Sequence, residues 1–313
     1  MKWMSNLSFV LLWLAGASWM TLLGGCGDKA APQVEAHSQL STKSEITASA
    51  ASIPSVAVTK GAASDSSAPG DSLHRPFAQA CTTEVNADSG VALPPVYTLT
   101  GKNTGSLNEA IQEIWDHIRF VDDHGKPQTY VLEFEVAMGN QALGTLEIRT
   151  QPEWAPNHVR NFVALTRVGY YDGLRFDRVV RQRVDGEAGG ELLLVEAGSP
   201  VENADPAVSH LGYWLLPEFQ SNIKHEAGIV GACLMPSEDN AETAACRFYI
   251  ALTPAPAMDG NFTLFGRVTK GLDLVRRISE QPVLSQEAGP DQGRFVQPVV
   301  IRKAIARPLP VIK

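Results

Sequence analysis

The sequence predicts a mostly β domain, built as a closed barrel and accompanied by two or three helices. Hydrophobic residues make up 44% of the 313 positions, which is enough for one good core. From about residue 130 onward, short apolar runs rich in β-forming residues alternate with turn signals. Many short strands at close spacing favour a closed barrel over an α/β sheet.

The first 25 residues have the layout of a signal peptide. Lys2 is followed by an apolar run that is too short to favour a stable membrane span, and then by small residues. The segment ends in Leu23-Gly24-Gly25-Cys26, which resembles the lipobox of bacterial lipoproteins. We therefore predict cleavage after residue 25 and lipidation of Cys26, the alternative being an ordinary signal peptide with a chance cysteine.

The predicted location is the cell envelope, with the chain facing the periplasm and anchored by its lipid. Gly27 follows the cysteine, where an inner-membrane retention signal would have Asp, and this favours the outer membrane.

Residues 27–76 contain no Phe, Trp, Tyr or Cys. Such a segment buries too little apolar surface to offset its ordering entropy, so 26–76 is predicted to be a lipidated disordered tether.

Residues 77–129 are interpreted as an N-terminal extension whose clearest element is a helix over 106–120. Ser106 and Glu109 have the spacing of a capping box. The apolar residues that recur at helical spacing are Leu107, Ala110, Ile111, Ile114, Trp115 and Ile118. One face of this helix is expected to pack on a neighbouring element.

The remaining elements follow in order along the chain. "YVLEFEVAM" and "GTLEIRT" predict a β-hairpin, and Pro156 and Gly169 bracket a helix. "GLDLVRRISEQ" also has a helical pattern. The other predicted strands are "LRFDRVV", "ELLLVEAG", "GIVGACL", "CRFYIAL", "FTLFGRV" and "PVVIRKAI".

Several of these segments, in this order, resemble blocks of the cyclophilin family of peptidyl-prolyl isomerases. They are "APNHVRNFVAL", "GYYDGLRFDRVV", "GYWLLPEF", "HEAGIVGACL", "CRFYIAL", "MDGNFTLFGRV" and "QPVVIRKAI". The resemblance covers residues 130–306 and implies an eight-stranded antiparallel barrel closed by two helices. The helix at 106–120 would be an addition to that domain, and 307–313 a tail.

The resemblance also implies a site. Arg178 matches the family's catalytic arginine. Substrate-binding positions are implied at Phe176, Leu193, Leu194, Glu196, Arg247, Phe248, Tyr249 and Phe262.

The site is divergent, because Asp177 replaces a histidine, and Glu196 and Arg247 each replace a glutamine. We expect Glu196 and Arg247 to pair, and the strand period of two to place Phe176 and Arg178 on one face with Asp177 on the other. "RQRVDGEAGGE", residues 181–191, is an inserted loop near the groove.

An arginine suits prolyl isomerisation on physical grounds. Amide resonance gives rotation about the X–Pro bond a barrier of about 18–20 kcal/mol. A hydrogen bond to the prolyl nitrogen weakens that resonance, and the arginine guanidinium is always charged and offers several donors. The reaction needs no metal or cofactor, and none is expected, since the histidines show no metal-ligand spacing.

Three cysteines lie beyond the predicted signal peptide and its lipidation site. An exported chain meets an oxidising space in which disulfides persist. Family strands at these places lie side by side, so the resemblance implies a Cys233–Cys246 disulfide and leaves the state of Cys81 open.

Three functions remain open at this point. The first is an isomerase that assists the folding of exported proteins and binds proline-containing peptides or unfolded chains. The second is a catalytically impaired module that binds proline-containing peptides or a protein partner, and the third is a purely structural envelope domain. The net charge of −8 argues against nucleic acid as a partner, and a monomer is expected. The alternative role for Arg178 is a structural ion pair with Asp177 or Glu187.

Overall fold

The computed structural model describes residues 71–84, 91–184, 190–205, 207–234, 242–284 and 293–311. The predicted signal peptide, the lipidation site at Cys26 and residues 26–70 of the predicted tether lie outside these ranges. No helix within them is long and apolar enough to cross a membrane.

The described residues form twelve strands and four α-helices. The strands are β1 (Cys81–Thr82), β2 (Gln128–Met138), β3 (Gln141–Thr150), β4 (Phe176–Val184), β5 (Gly190–Ala197), β6 (Trp214–Leu215), β7 (Ile229–Leu234), β8 (Thr243–Ala251), β9 (Leu264–Lys270), β10 (Val283–Leu284), β11 (Arg294–Phe295) and β12 (Val299–Pro310). The helices are α1 (Phe77–Ala80), α2 (Thr104–Trp115), α3 (Pro156–Arg167) and α4 (Leu272–Ser279).

Eight of these strands form a continuous antiparallel sheet in the order β12-β2-β3-β9-β7-β8-β5-β4. The short β6 pairs with β8, and β1 pairs with β6. The predicted hairpin of β2 and β3 is confirmed by their direct pairing.

The predicted closed barrel needs correction, because no ladder joins β4 to β12 in the described part of the chain. Arg175 and Val300 form an isolated bridge, and the backbone N–H of Ile301 donates to the carbonyl of Leu174 at 2.8 Å. The residues that precede β4 lie mostly in turns, so only a few of them run alongside β12. The edges of the eight-stranded sheet are therefore joined by a few bonds and not by a full ladder.

Helix α3 packs its apolar face on the interior of the sheet. Pro156 occupies its first turn, where the missing N–H costs no hydrogen bond. Phe162 stacks on Phe265 of β9 with ring centroids 4.1 Å apart, and Phe134 of β2 stacks on Phe248 of β8 at 5.9 Å. The interior is therefore an aromatic core beneath one helix.

The helix predicted over 106–120 runs over Thr104–Trp115 instead. Its N-cap is Asn103, whose side chain accepts a hydrogen bond from the Ser106 N–H at 2.9 Å. The predicted capping box at Ser106 and Glu109 is therefore wrong, because Ser106 is already the third residue of the helix.

The extension shares the core of the sheet and starts earlier than predicted. The Trp115 indole donates to the carbonyl of Arg75 at 2.8 Å, and Asp71 accepts from the Phe120 N–H at 3.2 Å. The buried Arg160 of α3 lies over the rings of Trp115 and Phe120, at 5.7 and 4.9 Å from their centroids. Residues 71–76, the last part of the predicted tether, therefore belong to the folded part.

The predicted inserted loop at 181–191 is largely a continuation of the hairpin. Strands β4 and β5 pair from Phe176 and Ala197 as far as Val184 and Gly190. Residues 185–189 lie outside the described residues. The insertion therefore lengthens two paired strands, and its ends do not form a separate loop.

Candidate active site

A β-bulge at the start of β4 decides which way Arg178 faces. The register with β5 shifts between Phe176 and Arg178, so that Phe176 pairs with Ala197 and Arg178 pairs with Glu196. A bulge inserts one extra residue and breaks the alternation of side chains. Phe176 therefore points into the aromatic interior, while Arg178 lies on the opposite face of the sheet.

The same register extends across four strands and builds one row of outward side chains. Arg178 on β4 pairs with Glu196 on β5, Glu196 pairs with Tyr249 on β8, and Tyr249 pairs with Gly231 on β7. Directly paired residues of antiparallel strands share a face and contact each other. We call these four residues the outer row.

Glu196 is the centre of a buried ion network in the outer row. Its Oε2 accepts from Arg178 Nε at 3.1 Å and its Oε1 accepts from Arg178 Nη2 at 2.9 Å. Arg247 of β8 donates from Nη2 to Glu196 Oε2 at 2.8 Å. The expected pairing of Glu196 with Arg247 is thus present. Arg178 makes a bidentate contact with Glu196, which fixes the plane of its guanidinium group.

Asp177 joins this network through Arg247. Its Oδ2 accepts from the Ser199 N–H at 2.8 Å and lies 4.0 Å from Arg247 Nε. The Asp177 side chain is almost fully buried. The expectation that Phe176 and Arg178 share one face, with Asp177 on the other, is therefore wrong, because the bulge removes the alternation on which it rested.

The pKa values of Glu196 and Asp177 are shifted in opposite directions by this environment. Burial alone would raise the pKa of Glu196, but the charges and hydrogen bonds of Arg178 and Arg247 outweigh burial and hold that pKa below its ordinary value. Burial raises the pKa of Asp177 to about 7, while Arg247 and the Ser199 N–H oppose the rise. Glu196 contacts two guanidinium groups directly, whereas Asp177 lies 4.0 Å from one, and this explains why their pKa values shift in opposite directions.

An apolar cluster lies on the same face as the outer row. We call it the outer apolar cluster; its buried members are Val180, Leu192, Leu194, Ile229, Cys233, Tyr249, Ala251, Ala255, Met258, Phe262 and Leu264. Leu194, Tyr249 and Phe262 are 0%, 2% and 4% exposed. Phe262 meets the Tyr249 ring edge to face, with centroids 5.8 Å apart. The cluster adjoins the outer row through Tyr249.

Tyr249 is fixed by a hydrogen-bond chain beneath the cluster. Its hydroxyl lies 2.9 Å from His225 Nε2, and His225 Nδ1 lies 2.9 Å from Asp259 Oδ1. Burial lowers the pKa of His225, and Asp259 opposes this. A Cβ on Gly231 would overlap the tyrosine hydroxyl, so only glycine leaves room for this chain.

The predicted site residues divide between the two faces of the sheet. Arg178, Leu194, Glu196, Arg247, Tyr249 and Phe262 lie on the outer face. Phe176 and Phe248 belong to the interior core, and Leu193 packs against it. Neighbours in a strand point to opposite faces, and Leu194 and Tyr249 take the outer one. Substrate contact by Phe176, Leu193 and Phe248 stays a prediction.

The predicted Cys233–Cys246 disulfide is also wrong, since both are free buried thiols, as is Cys81. Cys233 packs in the outer apolar cluster, whereas Cys246 packs in the interior core. The sheet lies between them. Burial raises the pKa of the Cys233 thiol well above its ordinary value, with Glu196 as a further cause.

Sequence reasoning missed the roles of Asp177, His225 and Asp259. His225 and Asp259 stand in "HEAGIVGACL" and "MDGNFTLFGRV", two of the segments that carry the resemblance, and a tyrosine at 249 creates a hydroxyl for the histidine. No sequence signal marks the bulge that brings Asp177 close to Arg247. Within the described ranges, no three His, Cys, Asp or Glu residues are grouped to hold a metal ion.

The comparisons with known proteins identify the family of the chain. The family model described as "Cyclophilin type peptidyl-prolyl cis-trans isomerase/CLD" matches residues 133–306, more than half of the chain. The chain therefore belongs to the family of cyclophilin-type peptidyl-prolyl cis-trans isomerases.

Relatives from eukaryotes show the extent of the match. The peptidyl-prolyl cis-trans isomerase ppi1 of Schizosaccharomyces pombe is 32% identical over 53% of this chain and 94% of its own length. The peptidyl-prolyl cis-trans isomerase-like 1 of Neurospora crassa is 27% identical over 51% of this chain and 91% of its own length.

Other relatives are much longer than the region they share. The peptidylprolyl isomerase domain and WD repeat-containing protein 1 of Mus musculus is 29% identical over 47% of this chain, and this chain spans only 21% of it.

A solved structure of a Cryptosporidium parvum cyclophilin type isomerase has a TM-score of 0.43 at 15% identity, over 57% of this chain and 98% of that one.

Proposed function

We propose that the chain is a peptidyl-prolyl cis-trans isomerase with Arg178 as its catalytic residue. One observation carries the proposal: a partly exposed guanidinium is fixed on the outer face, in a row with Tyr249 of the outer apolar cluster. This arrangement sets a charged donor close to a surface suited to a proline ring.

Prolyl isomerisation requires little more than a charged donor and an apolar surface for the proline ring. As the prolyl nitrogen becomes pyramidal, a guanidinium N–H donates to it and weakens the amide resonance that opposes rotation. A donor held in place before the reaction stabilises the transition state without reorganising. Glu196 fixes the guanidinium by binding Nε and Nη2 together.

A second candidate function is peptide binding without useful catalysis. It is favoured by the departures from the family's site, since Asp177 stands in place of a histidine and Glu196 in place of a glutamine. The pairing of Arg178 with a carboxylate also offsets part of the charge that catalysis uses.

The proposed setting is the cell envelope of a bacterium. The signal-peptide layout and the Leu23–Cys26 segment support a lipid-anchored protein that faces the periplasm, with the outer membrane favoured by Gly27. Its substrates there would be proline-containing segments of exported proteins, and it would act as a monomer.

Isomerisation of a proline-containing peptide, followed by isomer-specific proteolysis, separates the two candidate functions. We expect the purified full-length chain to accelerate the exchange in proportion to its concentration. An unchanged rate, combined with peptide binding measured by calorimetry, would instead support the binding module.

The anchor is tested separately by Cys26→Ser. We expect this variant to leave the membrane fraction of the native host, because the thiol is the proposed point of lipid attachment. A Cys26→Ser protein that stays in the membrane fraction as completely as the wild type would contradict the anchor.

A further inference from the structure

Arg247 and Glu196 have an arrangement that does not suit substrate binding. Both oxygens of Glu196 accept hydrogen bonds from arginines, and its side chain is only 3% exposed. The Arg247 side chain is 2% exposed, and its Nη2 donates to Glu196. Neither group is presented to a peptide, whereas the Arg178 side chain is 17% exposed.

We propose that Arg247 is a positioning residue, which holds Arg178 in its reactive orientation through Glu196 and does not touch the substrate. The inference rests on the proposed isomerase function. It reassigns Arg247 and Glu196 from substrate binding to the support of the catalytic group.

The distribution of charge explains why a second arginine is needed. Glu196 Oε2 lies 3.1 Å from Arg178 Nε and 2.8 Å from Arg247 Nη2, so the two guanidinium groups share one carboxylate. With Arg247 present, Glu196 fixes the geometry of Arg178 and neutralises only part of its charge. Without Arg247, the whole carboxylate charge falls on Arg178.

Asp177 of β4 lies beside Arg247 without a hydrogen bond to its Nε. Asp177 Oδ2 lies 4.0 Å from its Nε and is held by the Ser199 N–H at 2.8 Å. The charged and titratable side chains that act on the Glu196 carboxylate and its partners come from three strands. They are Asp177 and Arg178 of β4, Cys246, Arg247 and Tyr249 of β8, and Cys233 of β7. The hydrogen-bonded support therefore runs from Arg247 through Glu196 to Arg178, with Asp177 as a neighbouring carboxyl group.

The test compares Arg247→Gln with the double variant Glu196→Gln/Arg247→Gln. We expect Arg247→Gln to lower kcat/KM by about 10- to 100-fold, mainly through kcat, because a small misplacement of a catalytic group has effects of this size. The double variant removes both charges and leaves two amides that can pair, and the amide carbonyl introduced by Glu196→Gln still accepts from Arg178. We expect the double variant to regain most of the lost rate.

The pH profile supplies a readout that a merely structural role would not change. In Arg247→Gln the pKa of Glu196 rises, since one of the two cations that hold it down is gone. Protonated Glu196 no longer holds Arg178 with two acceptors. The acid limb of kcat/KM should therefore move to higher pH than in the wild type.

Arg267→Gln is the matched control, because Arg267 forms an exposed pair with Glu226 away from this network. It should leave both the rate and the pH profile unchanged. Wild-type kcat/KM in Arg247→Gln would overturn the inference. So would a folded double variant that is as slow as the single one.

A second measurement does not depend on activity. The Nε–Hε signal of Arg178 in ¹⁵N spectra reports how rigidly the guanidinium is held, and we expect higher mobility in Arg247→Gln and restored rigidity in the double variant. Unchanged mobility would overturn the inference even in an inactive protein. An inactive wild type with the expected mobility changes would contradict the proposed function alone and leave the positioning arrangement standing.

Discussion

Two rows of side chains occupy opposite faces of the same four strands. The inner row consists of Phe176, Ala197, Phe248 and Ala232. The outer row consists of Arg178, Glu196, Tyr249 and Gly231. Successive registers of one sheet thus supply an apolar core on one side and a network of charges and hydroxyls on the other.

The two faces of the sheet differ in the kind of side chain that they hold. Phe248 is buried among Phe134, Phe162 and Tyr171, and nothing polar is required of it. Tyr249, one residue later, bonds to His225 and packs in the outer apolar cluster. We therefore expect substitutions in the inner row to act through packing, and those in the outer row to act through charges and hydrogen bonds.

The largest change in stability is expected for Phe248→Ala. Removing this ring from the aromatic interior should lower the free energy of unfolding by about 3–5 kcal/mol, through lost contacts and the cavity that remains. Urea unfolding followed by circular dichroism measures it, with the more exposed Phe219→Ala as the control. A loss below about 1 kcal/mol, at the level of a surface substitution, would show that the inner row is not a packed core.

Asp177→Asn should change the pH dependence of stability. The folded-state pKa of Asp177 is raised to about 7, so the protonated form is favoured in the fold, and stability falls as pH rises from about 4 to about 7. The variant lacks this titration. Relative to the wild type it should gain up to about 4 kcal/mol across that window, at about 1.36 kcal/mol per pKa unit.

Unfolding midpoints at several pH values test this expectation. Asp273→Asn, which removes an exposed pair with Arg277, serves as the control and should show no such trend. If Asp177→Asn and the wild type keep a constant difference from about pH 4 to about pH 8, the buried carboxyl does not titrate in this window, and its proposed cause is wrong.

A smaller effect is expected for Tyr249→Phe. The variant keeps the ring in the outer apolar cluster but leaves His225 Nε2 buried without its 2.9 Å partner. Losing one partner of a buried hydrogen bond costs about 1–3 kcal/mol. Tyr97→Phe, at an exposed position, is the matched control, and equal stabilities of the two variants would contradict the proposed role of the chain through His225.

Much of the fold could be read from local patterns. The alternation in "YVLEFEVAM" and "GTLEIRT" predicts a hairpin that is present, and Pro156 marks the start of α3. Apolar spacing is enough to find the helix of the extension, although not its cap. These features depend on residues close together in sequence, for which propensity and periodicity suffice.

The site was harder to predict, because it depends on register. The period of two, applied to "CRFYIAL", places Phe248 and Tyr249 on opposite faces, and the structure agrees. It failed at "RFDR" because a bulge between Phe176 and Arg178 cannot be seen in the sequence. The disulfide failed for a related reason, since adjacent strands do not ensure that two cysteines share a face.

The most direct test of the outer row as a catalytic site is the isomerisation rate of Arg178→Ala against the wild type. Losing a charged donor to the transition state should lower kcat/KM by about 10²–10³, or about 2.7–4 kcal/mol by analogy with oxyanion donors. Arg178→Lys keeps a cation beside Glu196 but not the planar fork, so it should fold normally and remain slow. An Arg178→Ala protein as fast as the wild type would contradict the catalytic role of this arginine.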